Sequence, residues 1–409
     1  MQAVLEELCS LKEHYMRCVR CGQCRAACPV FEEIRNETAS PRGKVFLAYL
    51  LSGGEIGADA ETASKMSLCL LCRTCSQECP SAVPVHQIVA AARSHLAKKK
   101  PLGLRRLLFK EIWTRPALLN LSAGLLRRCQ AFGLLNLGIA LHLLPRGLSL
   151  PGRLPGRPAR AAISEITPAA GRPKMRIGYF LGCSTNFLFP GLAKATVAVL
   201  SRLGCEVATP ENLKCCGLPQ VESGEAETAA LLAKANFEAF RRLGVKAVVS
   251  DCASCTAALK ESPLRSEFPE IKILDLSGLL VELVKSNKPP LTRIQKPVTY
   301  HDPCHLARAQ GITGSPRELL QMTGADFREM PGASDCCGGG GTFALYHYQT
   351  SMGILNKKIA SIKKTEAEVV ASCCPTCLMQ IRHGLSKSGS STNVSHPVQL
   401  LAQSLGLQY

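Results

Sequence analysis

The spacing Cys18-Val-Arg-Cys21-Gly-Gln-Cys24-Arg-Ala-Ala-Cys28-Pro29 limits this chain more than any other feature. It is repeated at Cys69-Leu-Leu-Cys72-Arg-Thr-Cys75-Ser-Gln-Glu-Cys79-Pro80. Each run reads C-x2-C-x2-C-x3-C-P. Three cysteines at intervals of three wrap a loop over three irons of a [4Fe–4S] cubane, while the fourth leaves on the next helix and reaches a neighbouring cubane. The spacing therefore pairs Cys18, Cys21, Cys24 and Cys79 around one cluster and Cys69, Cys72, Cys75 and Cys28 around a second. Pro29 and Pro80 turn the chain after the last ligand, where a missing N–H does least harm. Zinc closes on four ligands and has no use for two runs that exchange their fourth cysteine. Two cubanes are the expectation.

Twenty-two cysteines in a small secreted chain would mean a disulfide scaffold, but 409 residues give room for two or three domains with cores of their own. Residues 1–17 carry Glu6, Glu7 and Glu13 and no apolar signal core, so a reducing, cytoplasmic setting is expected. The 49 basic and 31 acidic residues leave a formal charge of +18, which anionic thiolates offset in part. Such a protein meets nucleic acid, an anionic membrane face or an acidic subunit. Aromatics make up only 5% of the chain and no basic-aromatic module stands out, which argues against nucleic acid.

Residues 1–17 read as a short amphipathic helix (Val4, Leu5, Leu8, Leu11). Ser40 and Pro41 read as the N-cap and first turn of another. Arg42 and Lys44 are candidates to hydrogen-bond an electron-rich cluster or a partner's carboxylate; the plainer reading is exposed charge at a helix start. Residues 85–99 form a helix ending in Lys98-Lys-Lys100, favourable at the negative end of its dipole. Residues 101–174 change character: apolar helices carry Arg105, Arg106, Lys110, Arg127 and Arg128. Their longest apolar run, residues 129–144, holds Gln130, Asn136 and His142 and falls short of the roughly 20 residues a span needs. A basic face lying on the inner surface of a membrane is one reading. Packing on a partner subunit or on the chain's own second half is the favoured one. Residues 150–174, rich in Pro, Gly and Arg, read as a linker.

The remainder is duplicated. Cys183, Cys215-Cys216-Gly217 and Cys252-Ala-Ser-Cys255 recur as Cys304, Cys336-Cys337-Gly338 and Cys374-Pro-Thr-Cys377, at offsets of 121, 121, 121, 122 and 122 residues. Short apolar runs enter these sites and helical periodicity follows them, which predicts a parallel sheet with cysteines at the carboxyl ends of strands. The expected architecture is α+β and α/β. A small helical 2×[4Fe–4S] domain (1–100) and a basic helical and linker segment (101–174) precede one pseudo-symmetric domain of two Cys-Cys-Gly halves (175–295 and 296–409). The ten repeated cysteines are candidate ligands for a further iron–sulfur cluster or zinc; a degenerate scaffold and inert buried thiols are the rivals. Five thiols per copy exceed what tetrahedral zinc takes. The glycine after each pair frees the backbone for close approach to a metal or substrate, and Gly338-Gly-Gly-Gly341 offers a row of N–H groups to an anion or a cluster. Cys9, Cys129, Cys205 and Cys373 fit no register and read as structural. His301 and His305, with Asp302 between them, flank Cys304 and suggest proton handling or support of a ligand, against the plain alternative of satisfied core histidines.

Two ferredoxin-type runs, a basic helical linker and a tandem Cys-Cys-Gly domain together resemble the iron–sulfur subunits of glycolate oxidase. The wider group holds the iron–sulfur subunits of D-lactate dehydrogenases and of anaerobic glycerol-3-phosphate dehydrogenase, and heterodisulfide reductase. The resemblance spans essentially the whole chain and is closest at Ser40-Pro-Arg-Gly-Lys44 and Leu68-Cys-Leu-Leu-Cys-Arg-Thr-Cys75. It implies an electron-transfer subunit serving an FAD-containing 2-hydroxy-acid dehydrogenase and passing electrons to a quinone or other carrier. It also implies ligand roles for the eight cysteines of the first two runs. Intact Cys252/Cys255 and Cys374/Cys377 follow the heterodisulfide-reductase type, which keeps disulfide reduction as an alternative; a zinc-stabilised interaction scaffold is a third. No G-x-G-x-x-G follows a strand, so hydride chemistry belongs on another chain.

Overall fold

A computed structural model describes residues 8–99, 107–141, 143 and 154–409. Val4, Leu5, Lys100, Arg105, Arg106, His142 and residues 150–153 of the expected linker lie outside the described residues, as does the side chain of Cys9.

The N-terminal unit is all helix around the two cysteine runs. Helix Pro41–Ser52 starts as its sequence dictates: Ser40 Oγ accepts the Gly43 N–H at 2.9 Å and Pro41 occupies the first turn. Its Val45, Ala48 and Leu51 meet Ile88, Val89 and Ala92 of helix Val85–Lys99 in one apolar core. Each large aliphatic side chain buried there contributes about 1.5–3 kcal/mol.

The duplicated half has the parallel α/β architecture expected, divided between two sheets. Each copy forms its own sheet. The first contains β1 (Ile166–Thr167), β2 (Met175–Tyr179), β3 (Cys205–Ala208), β4 (Ala247–Val249) and β5 (Lys272–Ile273), in the order β1-β3-β2-β4-β5. The second contains β6 (Pro297–Tyr300), β7 (Asp326–Phe327), β8 (Val369–Ala371) and β9 (Asn393–Ser395), in the order β7-β6-β8-β9. All pairs are parallel except β1 with β3. The matched orders are what an in-register duplication requires. A continuous sheet would need two edge strands to pair across the copies, and the edges β1, β5, β7 and β9 are only two or three residues long. The copies instead share a core that includes Phe237, Phe240, Val248, Val298, Tyr300, Ile359 and Val370, so the pseudo-symmetric domain is one packed unit. Backbone bonds cross the join, from the Ala253 N–H to the Cys373 carbonyl at 2.9 Å, the Thr292 N–H to that of Ser404 at 2.8 Å and the Ile294 N–H to that of Thr323 at 3.0 Å.

The linker reading also needs correction. Residues 154–174 supply β1 and a turn at Ala159–Ala162, where Arg160 donates to the Thr209 carbonyl at 2.7 Å and Ile163 is buried. Ahead of it, helical turn Leu107–Ile112 packs on the first copy: Phe109 is buried and its carbonyl accepts from Gln220 Nε2 at 3.0 Å. Packing on the chain's own second half thus holds for this turn and Trp113. Helices Pro116–Ala131 and Leu134–Ala140 instead leave Leu121, Leu125, Phe132, Leu134, Leu137 and Leu141 exposed.

Candidate metal centre

The two cysteine runs fold alike because both loops pass through left-handed backbone on either side of the second cysteine. Arg20 (φ 57°) and Gly22 (φ 88°) flank Cys21; Leu71 (φ 53°) and Arg73 (φ 67°) flank Cys72. Only the glycine adopts this freely, and the three side-chain-bearing residues each cost about 1–2 kcal/mol. Strain of this kind persists where surroundings enforce it, and it gathers at functional sites. It curls each loop so that its thiols converge.

The runs exchange their last cysteines in space. Cys79 lies with Cys18, Cys21 and Cys24, while Cys28 lies with Cys69, Cys72 and Cys75. Burial raises the thiol of Cys28 to about 11, although the Phe31 N–H, 3.4 Å from its Sγ, acts the other way. Burial likewise raises Cys24 and Cys75. Lys44 is buried, donates to the Ala39 carbonyl and faces Cys69, Cys28 and Cys75; burial lowers its pKa while those thiolates act to raise it. Arg42 stands beside Cys24 and Cys18, held by Glu37 and by the Arg20 carbonyl at 3.0 Å. Of the two readings for these cations, Lys44 takes the one that faces sulfur. Eight soft donors converging in two sets of four, with cations alongside, fit a pair of [4Fe–4S] clusters.

In the duplicated half every candidate cysteine follows a strand. Cys183 and Cys304 open helices Cys183–Leu188 and Cys304–Gln310 just after β2 and β6. Cys252 and Cys374 cap helices Ala253–Lys260 and Pro375–Lys387 just after β4 and β8. Helix N-termini favour thiolates. The Cys-Cys-Gly turns follow β3 and β7, and the glycine requirement proves to be doubly physical. Gly217 and Gly338 have φ of 91° and 80°; a Cβ would stand 2.9 Å from the Ala229 carbonyl or 2.5 Å from that of Ser351. The close approach that the structure shows is to the long helix that follows in the same copy. Gly340 packs on Leu70, and Gly341 on the Glu222 carboxylate, so this glycine row forms an internal contact surface.

Nine of the ten thiols make one continuous series, and Cys304 stands beside it. Cys183, Cys215, Cys216, Cys255 and Cys252 touch in turn, Cys252 meets Cys374 across the join, and Cys374, Cys377, Cys337 and Cys336 complete the series. Cys336 in turn contacts Cys72 of the N-terminal unit. Hydrogen bonds from Cys215 and Cys255 hold Cys216 low, and those from Cys336 and Cys377 do the same for Cys337. Burial raises Cys304, which lies near Cys336 and Cys72. Cys205 and Cys373 are buried and Cys129 is half-buried, all three outside this series. His305 Nδ1 sits 2.9 Å from Ser254 Oγ, bridging the copies. His301 is buried, and burial pushes its pKa down to about 3; a ring nitrogen lies within 4.8 Å of the Sγ atoms of Cys337 and Cys377. Asp302 does not orient a histidine: both its oxygens accept from Arg317 at 2.8 Å.

Sequence reasoning passed over three groups here. Arg73 makes a two-pronged ion pair with Glu261 at 2.6 and 2.5 Å, tying the second run to the first copy; its signal was an arginine where the sister loop has Gly22. Lys358 is buried, donates to the Gly332 carbonyl at 2.6 Å and faces Cys337 and Cys336; it stands on the apolar face of its helix, three residues after Leu355. Glu222 is buried against Gly341, with Arg93 Nη1 donating to its carbonyl at 3.2 Å, and no sequence pattern marks it.

Comparison with known proteins agrees with this geometry. A 4Fe-4S dicluster domain matches residues 14–83, and a Cysteine-rich domain matches residues 177–260 and again 298–382. The chain is 33% identical to the Probable glycolate oxidase iron-sulfur subunit of Bacillus subtilis (strain 168), over 96% of this chain and 94% of that one. It is 27% identical to the glycolate oxidase iron-sulfur subunit of Escherichia coli K12, over 95% and 93% of the two chains. It is 26% identical to one of the subunits of the dihydromethanophenazine:CoB–CoM heterodisulfide reductase of Methanosarcina mazei, over 96% and 94%. The chain is an iron–sulfur protein and belongs to the family of glycolate oxidase iron–sulfur subunits.

Proposed function

We propose that this chain conducts electrons from an FAD-bearing subunit, which oxidises glycolate or D-lactate, towards a quinone or another carrier. One observation carries the reading: the thiols follow one another from exposed Cys21 to half-buried Cys183, joined between units where Cys72 meets Cys336. Iron–sulfur clusters held along such a series supply one-electron storage and transfer. Cys18, Cys21, Cys24 and Cys79 would hold one cluster, and Cys28, Cys69, Cys72 and Cys75 the next. Cys183, Cys215, Cys216, Cys252 and Cys255, and their counterparts Cys304, Cys336, Cys337, Cys374 and Cys377, would hold iron–sulfur in the duplicated half. Lys44 and Lys358 supply buried positive charge beside the thiolates, and the surrounding core keeps water away. The four segments 1–100, 101–174, 175–295 and 296–409 serve respectively as entry, attachment and the paired inner site. No helix among the described residues is long and apolar enough to cross a membrane. The exposed leucines of residues 116–141 and their arginines support peripheral attachment to the inner face. Pelleting with anionic liposomes that weakens as salt rises would bear this out, and no pelleting at any salt would refute it.

The test is made with the anaerobic full chain. Alone it should reduce no dye with glycolate or D-lactate, and activity should appear once the flavoprotein subunit is added; turnover by the chain alone would overturn the reading. Iron clearly above the roughly eight per chain of two cubanes is expected if the duplicated half is loaded. The meeting of Cys252 with Cys374 favours one second reading, disulfide reduction at the join. Thiol release from an added disulfide by the reduced chain would select it.

A further inference from the structure

The two copies differ at one buried position next to the thiols. Val298-Thr-Tyr-His301-Asp-Pro-Cys304-His305 aligns with Ile177-Gly-Tyr-Phe180-Leu-Gly-Cys183-Ser184. Phe180 is fully buried and asks nothing of its surroundings. His301 is 1% exposed, and neither of its ring nitrogens has a hydrogen-bond partner. The nearby Ala333 carbonyl favours the protonated ring but makes no hydrogen bond with it. That carbonyl already accepts from the Asp302 N–H at 3.0 Å and from Lys358 Nζ at 3.3 Å. An unpaired buried polar group is costly, and the first copy shows that an apolar ring fills the same place. What lies within reach is sulfur: His301, Cys337 and Cys377 offer three buried ligand atoms within 4.8 Å of one another.

Resting on the reading that the duplicated half holds iron–sulfur, we propose that a ring nitrogen of His301 ligates iron at the second copy, beside Cys337 and Cys377, so that the two copies hold electronically different sites. Imidazole is a good donor to iron and, unlike a thiolate, brings no negative charge. Both copies keep five cysteines, so the imidazole is an added neutral donor that only the second copy has. The second copy is also the one whose Cys336 touches Cys72, so the histidine-bearing inner site lies next to the N-terminal unit.

The experiment uses the full chain, loaded with iron and sulfide without oxygen, in natural-abundance form and with 15N-histidine. Pulsed EPR of the reduced protein should show a strongly coupled histidine nitrogen. H301F, which installs the first copy's residue, should abolish the coupling and shift the potential of one inner signal while leaving the other in place. H305S, the first copy's residue at the other site, should keep the coupling. The proposal is overturned by a loaded second half with no strongly coupled nitrogen, or by coupling that survives H301F. Zinc in place of iron, or iron that stays near eight per chain, overturns both the proposal and the reading beneath it, so the iron count tells the two failures apart.

Discussion

The ion pair between Arg73 and Glu261 gives the sharpest test of how the N-terminal unit is held. Its two N–H···O contacts of 2.6 and 2.5 Å join a left-handed loop residue to the end of helix Ala253–Lys260, with side chains 16% and 28% exposed. Burial pushes the Glu261 carboxyl upward, but the hydrogen bonds and charge of Arg73 outweigh it and hold the group below its usual range. Unit charges about 4 Å apart attract by about 4 kcal/mol at an effective dielectric near 20, and desolvation offsets part of that. Charged hydrogen bonds keep a net value of about 1.5–3 kcal/mol. Arg73→Ala and Glu261→Gln should each cost about 2 kcal/mol, with a coupling of about 1 kcal/mol or more in the double-mutant cycle. Arg73 also sits at φ 67°, so Arg73→Gly should recover about 1 kcal/mol of what Arg73→Ala loses. Urea unfolding without oxygen, followed by loss of visible cluster absorbance, reads the N-terminal unit directly. Strict additivity of Arg73→Ala and Glu261→Gln, or equal losses for the alanine and glycine variants, would refute the reasoning.

Cys28→Ser should alter the EPR signal of the cluster held by Cys69, Cys72 and Cys75; a change confined to the cluster of Cys18, Cys21 and Cys24 would break the exchanged pairing. Gly338→Ala, whose Cβ would stand 2.5 Å from the Ser351 carbonyl, should cost about 3 kcal/mol or more. Gly389→Ala, also at positive φ but with nothing within 4 Å, should cost about 1 kcal/mol, and similar losses for both in denaturant titrations would contradict the packing argument. His396 caps a helix as the neutral ring, its Nδ1 accepting the Val398 N–H at 3.1 Å, and burial lowers its pKa to about 3. Its folded value lies below its unfolded one, so its contribution is complete above about pH 6.5 and is lost as pH falls towards 3. At pH 4.5 the loss is about 2–3 kcal/mol. His396→Asn keeps a capping group and should remove that part of the acid sensitivity; an unchanged difference in stability between neutral and acid solution would count against it.

The parts legible in the sequence were those carried by local spacing. The exchange of Cys28 and Cys79 follows from three-residue intervals, the Ser40 cap from its own turn, and the twin strand orders from an offset that never drifts by more than one residue. What was not legible depends on tertiary contact. Nothing near Gly217 or Gly338 says that Ala229 or Ser351 stands so close. The two-sheet division turns on how short the edge strands are, and element ends are where pattern is weakest. Lys44 reads equally as a cluster-facing and as an exposed charge, and nothing marks Lys358, because lysine is almost never buried without a partner. Here the carbonyls of Ala39 and Gly332, with the thiols beyond, make them exceptions.

The fit of the N-terminal unit against the rest decides where Cys72 stands. Helix Pro29–Ile34 lies on helix Tyr348–Lys364 of the second copy, with Lys357 between Glu32 and Glu33 at 2.8 and 2.6 Å. Helix Val85–Lys99 lies on the first copy, where Ala90 packs with Val221, Ala226 and Ala229. The unit thus straddles both copies. Exposed pairs such as Lys98 with Glu227 contribute little. The hold comes from the Arg73–Glu261 pair and from close packing, and the packing explains the glycines: a Cβ on Gly224 would stand 2.5 Å from the Arg93 carbonyl, and one on Gly340 would overlap Leu70. A side chain at either position would push the unit off its seat. The same seat sets the meeting of Cys72 with Cys336, where the thiol series passes from unit to unit. Glycine at 224 and 340 therefore bears on electron transfer through packing alone, although neither residue lies among the candidate ligands.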